Sequence, residues 1–357
     1  MTDRCAVIMG LPIDDVTIGE AVDRIAAMVE AGRATGRCHQ VATVNVDFVV
    51  NAVDNPATLR ILQRCDLAIP DGMPVVWGAR LLGTPLRERT PGVDLLPALV
   101  KRSADAGYRI CLFGAGPGVA EKAAAWLTER FPGAEVTGLA APDVAPDGTM
   151  DPGALEPIRA GRPDIVGVAL GNPKQERWIA RHAHALGAPV LIGIGGTLDF
   201  LTGVTRRAPP WMQRAGLEWL HRAVSEPRRL AGRYARDLVV FLPGLLGQAW
   251  RGRPRSSSVL PVVIADGSST TMRVLGPLRD DLVTASGAGA APPDRLLTVD
   301  VSALTTLDNP TVAALAGLLR SVRRSGTRVS VIGLTPRLDA SARRLNVKEL
   351  LVAAGSG

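Results

Sequence analysis

The sequence lacks paired cysteines, a long apolar run and a readable export signal. Its four cysteines lie far apart and form no C-x-x-C pair, so neither a zinc ribbon nor a disulfide framework is encoded. The longest apolar stretch, 238–246, falls well short of the roughly 20 residues that span a bilayer, and a proline and a glycine interrupt it. The amino terminus has no basic segment followed by an apolar run. These absences predict a cytoplasmic protein without a transmembrane helix.

Lysine is also scarce, because only four of the 41 basic residues are lysine. The formal net charge is +7, and residues 206–255 alone carry eleven arginines against three acidic residues. Such a cluster attracts the phosphates of nucleic acid, nucleotides, lipid diphosphates or a membrane surface. Interleaved aromatic residues, among them Trp211, Trp219 and Trp250, favour an interface.

At 357 residues the chain is long enough for at least two packed units. Residues 1–205 alternate apolar strand-like runs with amphipathic helical stretches, which predicts an α/β core of Rossmann type with a largely parallel sheet. Thr17 and Glu20 form a capping box that begins a helix. The remaining predicted segments are an arginine-rich helical appendage (206–250), a polar linker (251–258) and a small α/β module (259–357). Buried strands are predicted at 39–46, 109–113, 164–170 and 189–194.

Polar residues follow two of the apolar runs. Thr43, Asn45 and Asp47 come at the end of a predicted strand, where they either contact a polar ligand or cap the next helix. Asp71 lies in a Pro-Asp-Gly turn, where it is either a general base or a turn residue. The residue pattern alone leaves both alternatives open.

Glycine-rich segments follow three other strands. The loop that contains Gly114 and Gly116 precedes a helix and either binds phosphate or allows close packing. Glu135 follows Gly114 by 21 positions, near the offset of a ribose-binding acid, so a nicotinamide-dependent oxidoreductase is an alternative. The segments GNPKQERW (171–178) and GIGGTLDF (193–200) are stronger indications of a site.

Several metal and hydrolase motifs are missing. The sequence has no H-E-x-x-H, D-x-D or G-x-S-x-G, which removes motif support for a zinc protease, a metal-dependent transferase of D-x-D type and a lipase. His182 and His184 are two positions apart and face different sides of a helix, which favours a surface role over a metal site. We therefore expect neither a metal nor a cofactor.

Taken in order, the polar and glycine-rich segments resemble the WecG/TagA/CpsF glycosyltransferase family over about residues 8–240. The resemblance rests on T-x-N-x-D (43–47), PDG (70–72), R-x-x-G-x-D (89–94), FPG (131–133), GNPKQE (171–176), GGTLDF (195–200), RAP-x-W (207–211) and EW-x-x-R-x-x-x-x-P-x-R (218–229). It implies inverting transfer of a sugar resembling N-acetylmannosamine from a UDP-sugar to a polyprenyl-diphosphate-linked N-acetylglucosamine acceptor, in cell-envelope polysaccharide assembly.

The resemblance also implies roles for individual residues. Asp71 would be the general base on the acceptor hydroxyl. Thr43, Asn45, Arg89 and Gln175 would hold the sugar and phosphates, and Asp199 would lie at the nucleotide. The other expected substrate contacts are Gly114, Gly116, Gly171, Lys174 and Gly195 in the loops, and Arg222, Arg229 and Arg233 in the appendage.

The tail, about 259–352, resembles a STAS domain, the fold of anti-sigma factor antagonists. The similar segments are LTVDVS (297–302), TLD (306–308) and G-x-x-V-x-V-x-G (326–333). In that family a serine after the aspartate is the phosphorylation switch, whereas this chain has Asn309 there, with Thr311 as a substitute. Regulation and a structural role both stay open.

The expected partners are a UDP-sugar, a polyprenyl-diphosphate-linked acceptor and the inner face of the cell membrane, with no role for nucleic acid. A protein partner of the STAS-like module and a homo-oligomer remain open. The alternative from a different class is a non-catalytic protein that senses UDP-sugar and acts through the module. The sequence does not identify the donor sugar.

Overall fold

The computed structural model describes residues 4–225, 227–253, 262–265, 269–276, 278, 296–324 and 327–352, without the side chains of 214, 227–229, 262–265, 269 and 352. The strands are β1 (Cys5–Ile8), β2 (Leu11–Asp14), β3 (His39–Val44), β4 (Leu67–Pro70), β5 (Arg109–Gly114), β6 (Glu135–Leu139), β7 (Ile165–Ala169), β8 (Val190–Gly193), β9 (Val262–Ala265), β10 (Ser269–Arg273), β11 (Leu296–Asp300) and β12 (Arg328–Ile332).

The helices number fifteen among the described residues, apart from a short 3-10 turn at Pro152–Leu155. They are α1 (Ile18–Thr35), α2 (Val46–Asp54), α3 (Pro56–Arg64), α4 (Met73–Leu81), α5 (Gly92–Ala106), α6 (Val119–Arg130), α7 (Glu156–Ala160), α8 (Lys174–Leu186), α9 (Thr197–Leu201), α10 (Pro210–Arg214), α11 (Glu218–Ser225), α12 (Pro227–Arg251), α13 (Asn309–Arg324), α14 (Pro336–Arg344) and α15 (Lys348–Val352).

The chain forms two compact units. The larger unit comprises Val16–Pro74 and Glu88–Asp237, and the smaller comprises Met1–Asp15, Val75–Arg87 and Leu238–Gly357. The amino-terminal hairpin therefore belongs to the same unit as the carboxyl-terminal module. No pattern in the sequence indicated that grouping, because it depends on pairing between segments about 300 positions apart.

A six-stranded parallel sheet, in the order β4-β3-β8-β7-β5-β6, forms the centre of the larger unit. Successive side chains of β5 enter different cores, since Ile110 and Leu112 join one cluster while Cys111 and Phe113 join another. Burial on both faces explains why the strands read as continuous apolar runs. The predicted α/β class of Rossmann type is confirmed, with three of the four predicted strands slightly shorter than expected and β5 one residue longer.

Helix α1 forms for the reason its sequence indicates. The Thr17 hydroxyl accepts from the Glu20 amide at 3.2 Å, and the Glu20 carboxylate accepts from the Thr17 amide at 3.0 Å. The capping box satisfies amides that the helix leaves without partners. Its apolar residues, including Val22, Ile25 and Val29, then pack into the core.

The smaller unit contains a four-stranded sheet in the order β12-β11-β10-β9 and the antiparallel hairpin β1–β2. Strands β10, β11 and β12 are parallel, and β9 is antiparallel to β10. Helix α13 follows β11, and helices α14 and α15 follow β12, so the predicted small α/β module is present. Cys5 and Val7 of the hairpin lie in the same apolar core as Leu297, Leu315 and Leu319.

Candidate functional site

Polar side chains meet at the carboxyl edge of the parallel sheet, where ligands of such sheets bind. The Thr43 hydroxyl at the end of β3 donates to the Gly193 carbonyl at the end of β8 at 2.8 Å, and Thr43 is buried. Thr43 thus ties two adjacent strand ends together, in addition to any contact with substrate.

Asn45 is the N-cap of α2. It has extended backbone angles, and its side-chain oxygen accepts from the Phe48 amide at 3.3 Å. The helix-cap alternative is therefore correct for this residue. A Cβ added at Gly72 would lie 3.6 Å from the Asn45 Cβ, so Asn45 also borders the turn that carries Asp71.

Asp71 follows β4, with its amide bonded to the Val44 carbonyl at 2.9 Å. Its Oδ1 accepts from the Gly92 amide at 3.0 Å. Burial raises the pKa of Asp71, while the Gly92 amide and the charges of Arg222 and Arg89 oppose that shift and Glu218 adds to it. A carboxylate made more basic by burial is suited to accept a proton.

Gln175 connects the two glycine-rich segments. Its side-chain oxygen accepts from the Gly195 amide at 3.1 Å, and its amide nitrogen donates to Glu176 at 2.7 Å. Gln175 and Glu176 have no exposed surface. A Cβ at Gly193 would lie 2.5 Å from the Gln175 nitrogen, so this close approach requires glycine. The structure thus gives Gln175 a clear role in holding the loops.

Glu176 is the part of this network that the sequence analysis missed. Its second oxygen accepts from the Asn172 side chain at 2.8 Å, and Asn172 in turn accepts from Asn51 at 2.7 Å. Burial raises the pKa of Glu176 to about 7, against the two amide donors, which lower it. Position 176 lies in the GNPKQE segment, which is the one signal that could have suggested it.

A chain of ion pairs attaches the start of the appendage to the larger unit. Arg207 donates two parallel hydrogen bonds to Asp94, at 2.6 and 2.8 Å. Glu218 accepts from Arg89 at 2.7 Å and from Arg207 at 3.3 Å. Paired guanidinium and carboxylate groups contribute interaction energy and also restrict the geometry, so α11 is held in a defined place.

Arg222 of α11 reaches the GIGGTLDF loop. Its guanidinium carbon lies 4.9 Å from the centre of the Phe200 ring, within cation–π range. One of its nitrogens is 3.6 Å from the place of a Cβ on Gly196, and an Asp199 oxygen is 3.7 Å from the same place. The structure therefore brings Arg222, Asp199 and the Asp71 carboxylate into one neighbourhood, in which Arg222 acts on Asp71 through its charge.

Arg233 lies beside a second set of carboxylates. Burial raises the pKa of Asp47 and of Asp237, and the charges of Arg233 and Arg236 oppose that shift. Asp237 is buried, and burial together with Asp47 raises its pKa to about 6. The side chain of Arg229, another predicted contact, lies outside the described residues.

The remaining predicted contacts lie apart from Asp71. Gly114 ends β5 and Gly116 follows it, four strand positions from β4, which is roughly 19 Å at the usual strand spacing. Gly171 begins the loop before α8, with a left-handed φ of 76°, and the Lys174 ammonium donates to the Val144 carbonyl at 3.3 Å. Only a donor that extends along the sheet edge would contact these residues and Asp71 together.

Two expectations fail on geometry. Glu135 begins β6 and pairs with Arg109, at the amino end of the sheet, whereas the Gly114 loop lies at the carboxyl end. It therefore cannot hold a ribose bound at that loop, which removes the oxidoreductase alternative. The surface role expected for His182 is also wrong, because His182 is buried and bonded to the Gly148 carbonyl at 3.0 Å, while His184 is exposed.

Comparison with known proteins agrees with this geometry. Residues 6–255 match the family model of the glycosyl transferase WecG/TagA/CpsF family. The chain belongs to this family of glycosyltransferases. Residues 261–353 match the model described as Mlab, STAS domain. The resemblances stated from the sequence motifs are thus confirmed for both parts of the chain.

Several curated relatives carry the name N-acetylglucosaminyldiphosphoundecaprenol N-acetyl-beta-D-mannosaminyltransferase. The protein of Bacillus spizizenii strain W23 is 32% identical over 189 residues, 53% of this chain and 72% of the relative. That of Bacillus subtilis strain 168 is 31% identical over 191 residues, again 53% and 72%. That of Staphylococcus aureus strain MW2 is 28% identical over 223 residues, 62% and 85%.

Proposed function

We propose that this glycosyltransferase moves a sugar resembling N-acetylmannosamine from a UDP-sugar to a polyprenyl-diphosphate-linked N-acetylglucosamine acceptor, with inversion, in cell-envelope polysaccharide synthesis. The names of the curated relatives support this donor sugar and this acceptor. The observation that carries the catalytic part is Asp71, a carboxylate with a raised pKa at the sheet edge, close to the charges of Arg222 and Arg89.

The reaction requires one displacement. The acceptor hydroxyl oxygen forms a bond to the anomeric carbon, and the bond from that carbon to the donor phosphate breaks, so UDP leaves with the electron pair. The hydroxyl proton passes to Asp71. One displacement from the opposite face inverts the anomeric centre. Arg222 and Arg89 would stabilise the negative charge that develops on the departing diphosphate.

The first experiment measures UDP release from a panel of UDP-sugars, with and without a short-chain polyprenyl-diphosphate-N-acetylglucosamine acceptor. Release from one donor only in the presence of acceptor would support the transferase and identify the donor. Asp71→Asn should lower turnover by about 10²- to 10⁴-fold while UDP-sugar affinity is kept. Asp105→Asn, at an exposed position of α5, is the matched control.

Three results would count against the proposal. Unchanged turnover in Asp71→Asn would exclude Asp71 as the base. UDP-sugar binding without release from any donor would favour the sensing alternative. Equal release with and without acceptor would indicate hydrolysis of the donor rather than transfer.

We also propose that the protein acts at a membrane surface. No helix among the described residues is long and apolar enough to cross a bilayer. Within the smaller unit, α12 instead exposes large apolar side chains, with Leu242 and Leu246 about half exposed and Trp250 71% exposed. Arg253 lies over the Trp250 ring at 4.2 Å. An apolar helix face with adjacent arginines is typical of helices that lie in the lipid interface.

Helix α4 adds to this surface. An added Cβ on Gly78 would lie 3.3 Å from Leu245 and 3.5 Å from Phe241, so α4 packs on the buried side of α12. Its Trp77 and Leu81 are 42% and 51% exposed. Both helices therefore expose large apolar side chains, which supports the proposal of a lipid contact.

Flotation with vesicles that contain anionic lipid tests this surface. Leu242→Ser combined with Trp250→Ser should reduce the floated fraction, while Trp126→Ser, an exposed tryptophan of α6, should not. Deleting the helix would be uninformative, because its Phe241 and Leu245 are buried. Equal flotation of all three proteins would refute a lipid contact through α12.

A further inference from the structure

Helix α13 is buried on more sides than packing on its sheet requires. Thirteen of its sixteen residues are buried. A helix that packs on one face of a sheet normally buries a single apolar stripe and leaves the opposite side in water. The side of α13 that does not face the sheet, here called the outer face, must therefore be covered by something else in the smaller unit.

The amino-terminal hairpin covers much of the outer face. The Cys5 thiol lies 3.3 Å from the Ala313 carbonyl. Arg320 forms an ion pair with Asp14 at 2.9 Å, and their side chains are only 3% and 1% exposed. Arg320 also reaches the Pro12 carbonyl at 3.4 Å. A buried ion pair is weak evidence of net stability. It does make the contact between two surfaces specific, because burying either charge without the other is destabilising.

The end of α12 covers the amino end of α13. The Asn309 amide donates to the Gly252 carbonyl at 2.9 Å. The Gln248 side chain donates to Val7 at 2.8 Å and to Asn309 at 3.1 Å, and it accepts from the Met9 amide at 2.7 Å. One amide side chain thus connects the hairpin, α12 and α13.

We propose that the outer face of α13 is a permanent docking surface inside this chain, occupied by the hairpin (Cys5–Asp14) and the end of α12. The STAS domain is then an integral part of the smaller unit and does not use this face to bind a separate protein. The proposal is independent of the reaction catalysed.

The two positions considered for phosphorylation are consistent with a closed face. Asn309 is 4% exposed and Thr311 is 1% exposed. The Thr311 hydroxyl accepts from the Leu278 amide at 2.8 Å, while its own amide donates to Asp308 at 2.9 Å. A phosphate added to Thr311 would need space and water that this burial excludes, so a kinase acting there would first have to break the contact with Leu278.

The turn of the hairpin also packs closely against neighbouring segments of the smaller unit. Gly10 has a φ of 94°, and an added Cβ would lie 2.5 Å from the Asn346 carbonyl oxygen. An added Cβ on Gly244 would overlap the methyl end of the Met9 side chain. The turn is therefore packed closely on two sides, as expected of a fitted interface rather than a loose contact.

The test is made on the full chain, with a protease recognition site placed in 254–260 and cleaved after folding. The two fragments should co-elute in size-exclusion chromatography. Asp14→Ala leaves Arg320 buried without its carboxylate and should weaken the association of the cleaved fragments about 100-fold or more. Arg343→Ala removes an ion pair from an exposed arginine of α14 and should have little effect.

The apolar replacement Asp14→Leu with Arg320→Met should keep the fragments together, since it removes both fully buried charges, while Arg324, which lies 3.9 Å from Asp14, has 17% of its side chain exposed. Separation of the cleaved wild-type fragments would overturn the proposal.

Hydrogen exchange on the uncleaved wild-type chain gives a second measurement that needs no variant. Amides of 312–320 should be among the most protected, and exchange as fast as that of α14, which is exposed along one side, would also overturn it.

Discussion

Replacing Glu176 by glutamine should stabilise the protein at neutral and alkaline pH while it reduces activity. Glu176 is fully buried, and burial raises its pKa from 4.5 to about 7. The larger unit therefore contains a carboxylate that is held in its charged form at a cost. Glutamine has the shape of the protonated side chain and never takes the charge.

The size and sign of this stability difference follow from the pKa of Glu176 in the unfolded chain and in the folded protein. Between pH 4.5 and about 7 the folded protein keeps a proton on Glu176 that the unfolded chain has released. Stability from this group therefore falls as the pH rises through that window, and the loss is complete above it. A shift from 4.5 to about 7 corresponds to about 3 kcal/mol. Glu176→Gln should match wild type near pH 4.5 and exceed it by about that amount at pH 8.

Urea unfolding of both proteins at several pH values from 4.5 to 8.5 measures this difference, with Glu156→Gln at an exposed position as control. Turnover should fall, because only the carboxylate accepts from both Gln175 and Asn172 through two oxygens. Curves that stay parallel across the pH range, or a variant less stable than wild type at pH 8, would refute the reasoning.

Two further predictions concern catalysis. Arg222→Gln removes a charge that lowers the pKa of Asp71, so the acid limb of the kcat/KM profile should move to higher pH. A limb that stays in place or moves to lower pH would contradict the roles proposed for Asp71 and Arg222. Turnover in excess EDTA should equal that without it, since the sequence has no D-x-D motif, and a loss that added Mg²⁺ or Mn²⁺ restores would contradict metal independence.

The sequence predicted those parts of the structure that depend on near neighbours. The capping box at Thr17 and Glu20 determines the start of α1 from residues three positions apart. Each buried strand appears as a continuous apolar run, because both faces of the sheet are covered. The polar residues after β3 and β4 then come together at one edge, since parallel strands all end on the same side.

Features that depend on distant residues could not be predicted in this way. Glu176 is polar and adjacent to Gln175, but only the fold shows that both are buried beside Gly193 and Gly195. The hairpin contacts a helix about 300 positions later, with no local pattern to mark it. Neither feature produces a periodic pattern in the sequence, because each depends on contacts with residues distant in the chain.

Arg89 shows how the structure changes the meaning of a sequence prediction. Its guanidinium, expected to bind donor phosphates, instead donates to Glu218 at 2.7 Å, and Glu218 also pairs with Arg207. A diphosphate that takes the hydrogen bond of this Arg89 nitrogen must replace the Glu218 carboxylate. If Arg89 is a phosphate contact, Glu218 competes with the donor for it.

Glu218→Gln separates the two roles. Glu218→Gln removes the charge that competes with the donor diphosphate for Arg89. If the diphosphate takes over the charge-assisted hydrogen bond of Glu218, UDP binding should tighten by about tenfold. Isothermal titration with UDP measures this, with the exposed Glu129→Gln as control. Unchanged or weaker binding would mean that Arg89 holds α11 in place and that the donor phosphates bind elsewhere. The sign of the change therefore decides whether Arg89 contacts the substrate or positions the appendage that carries Arg222.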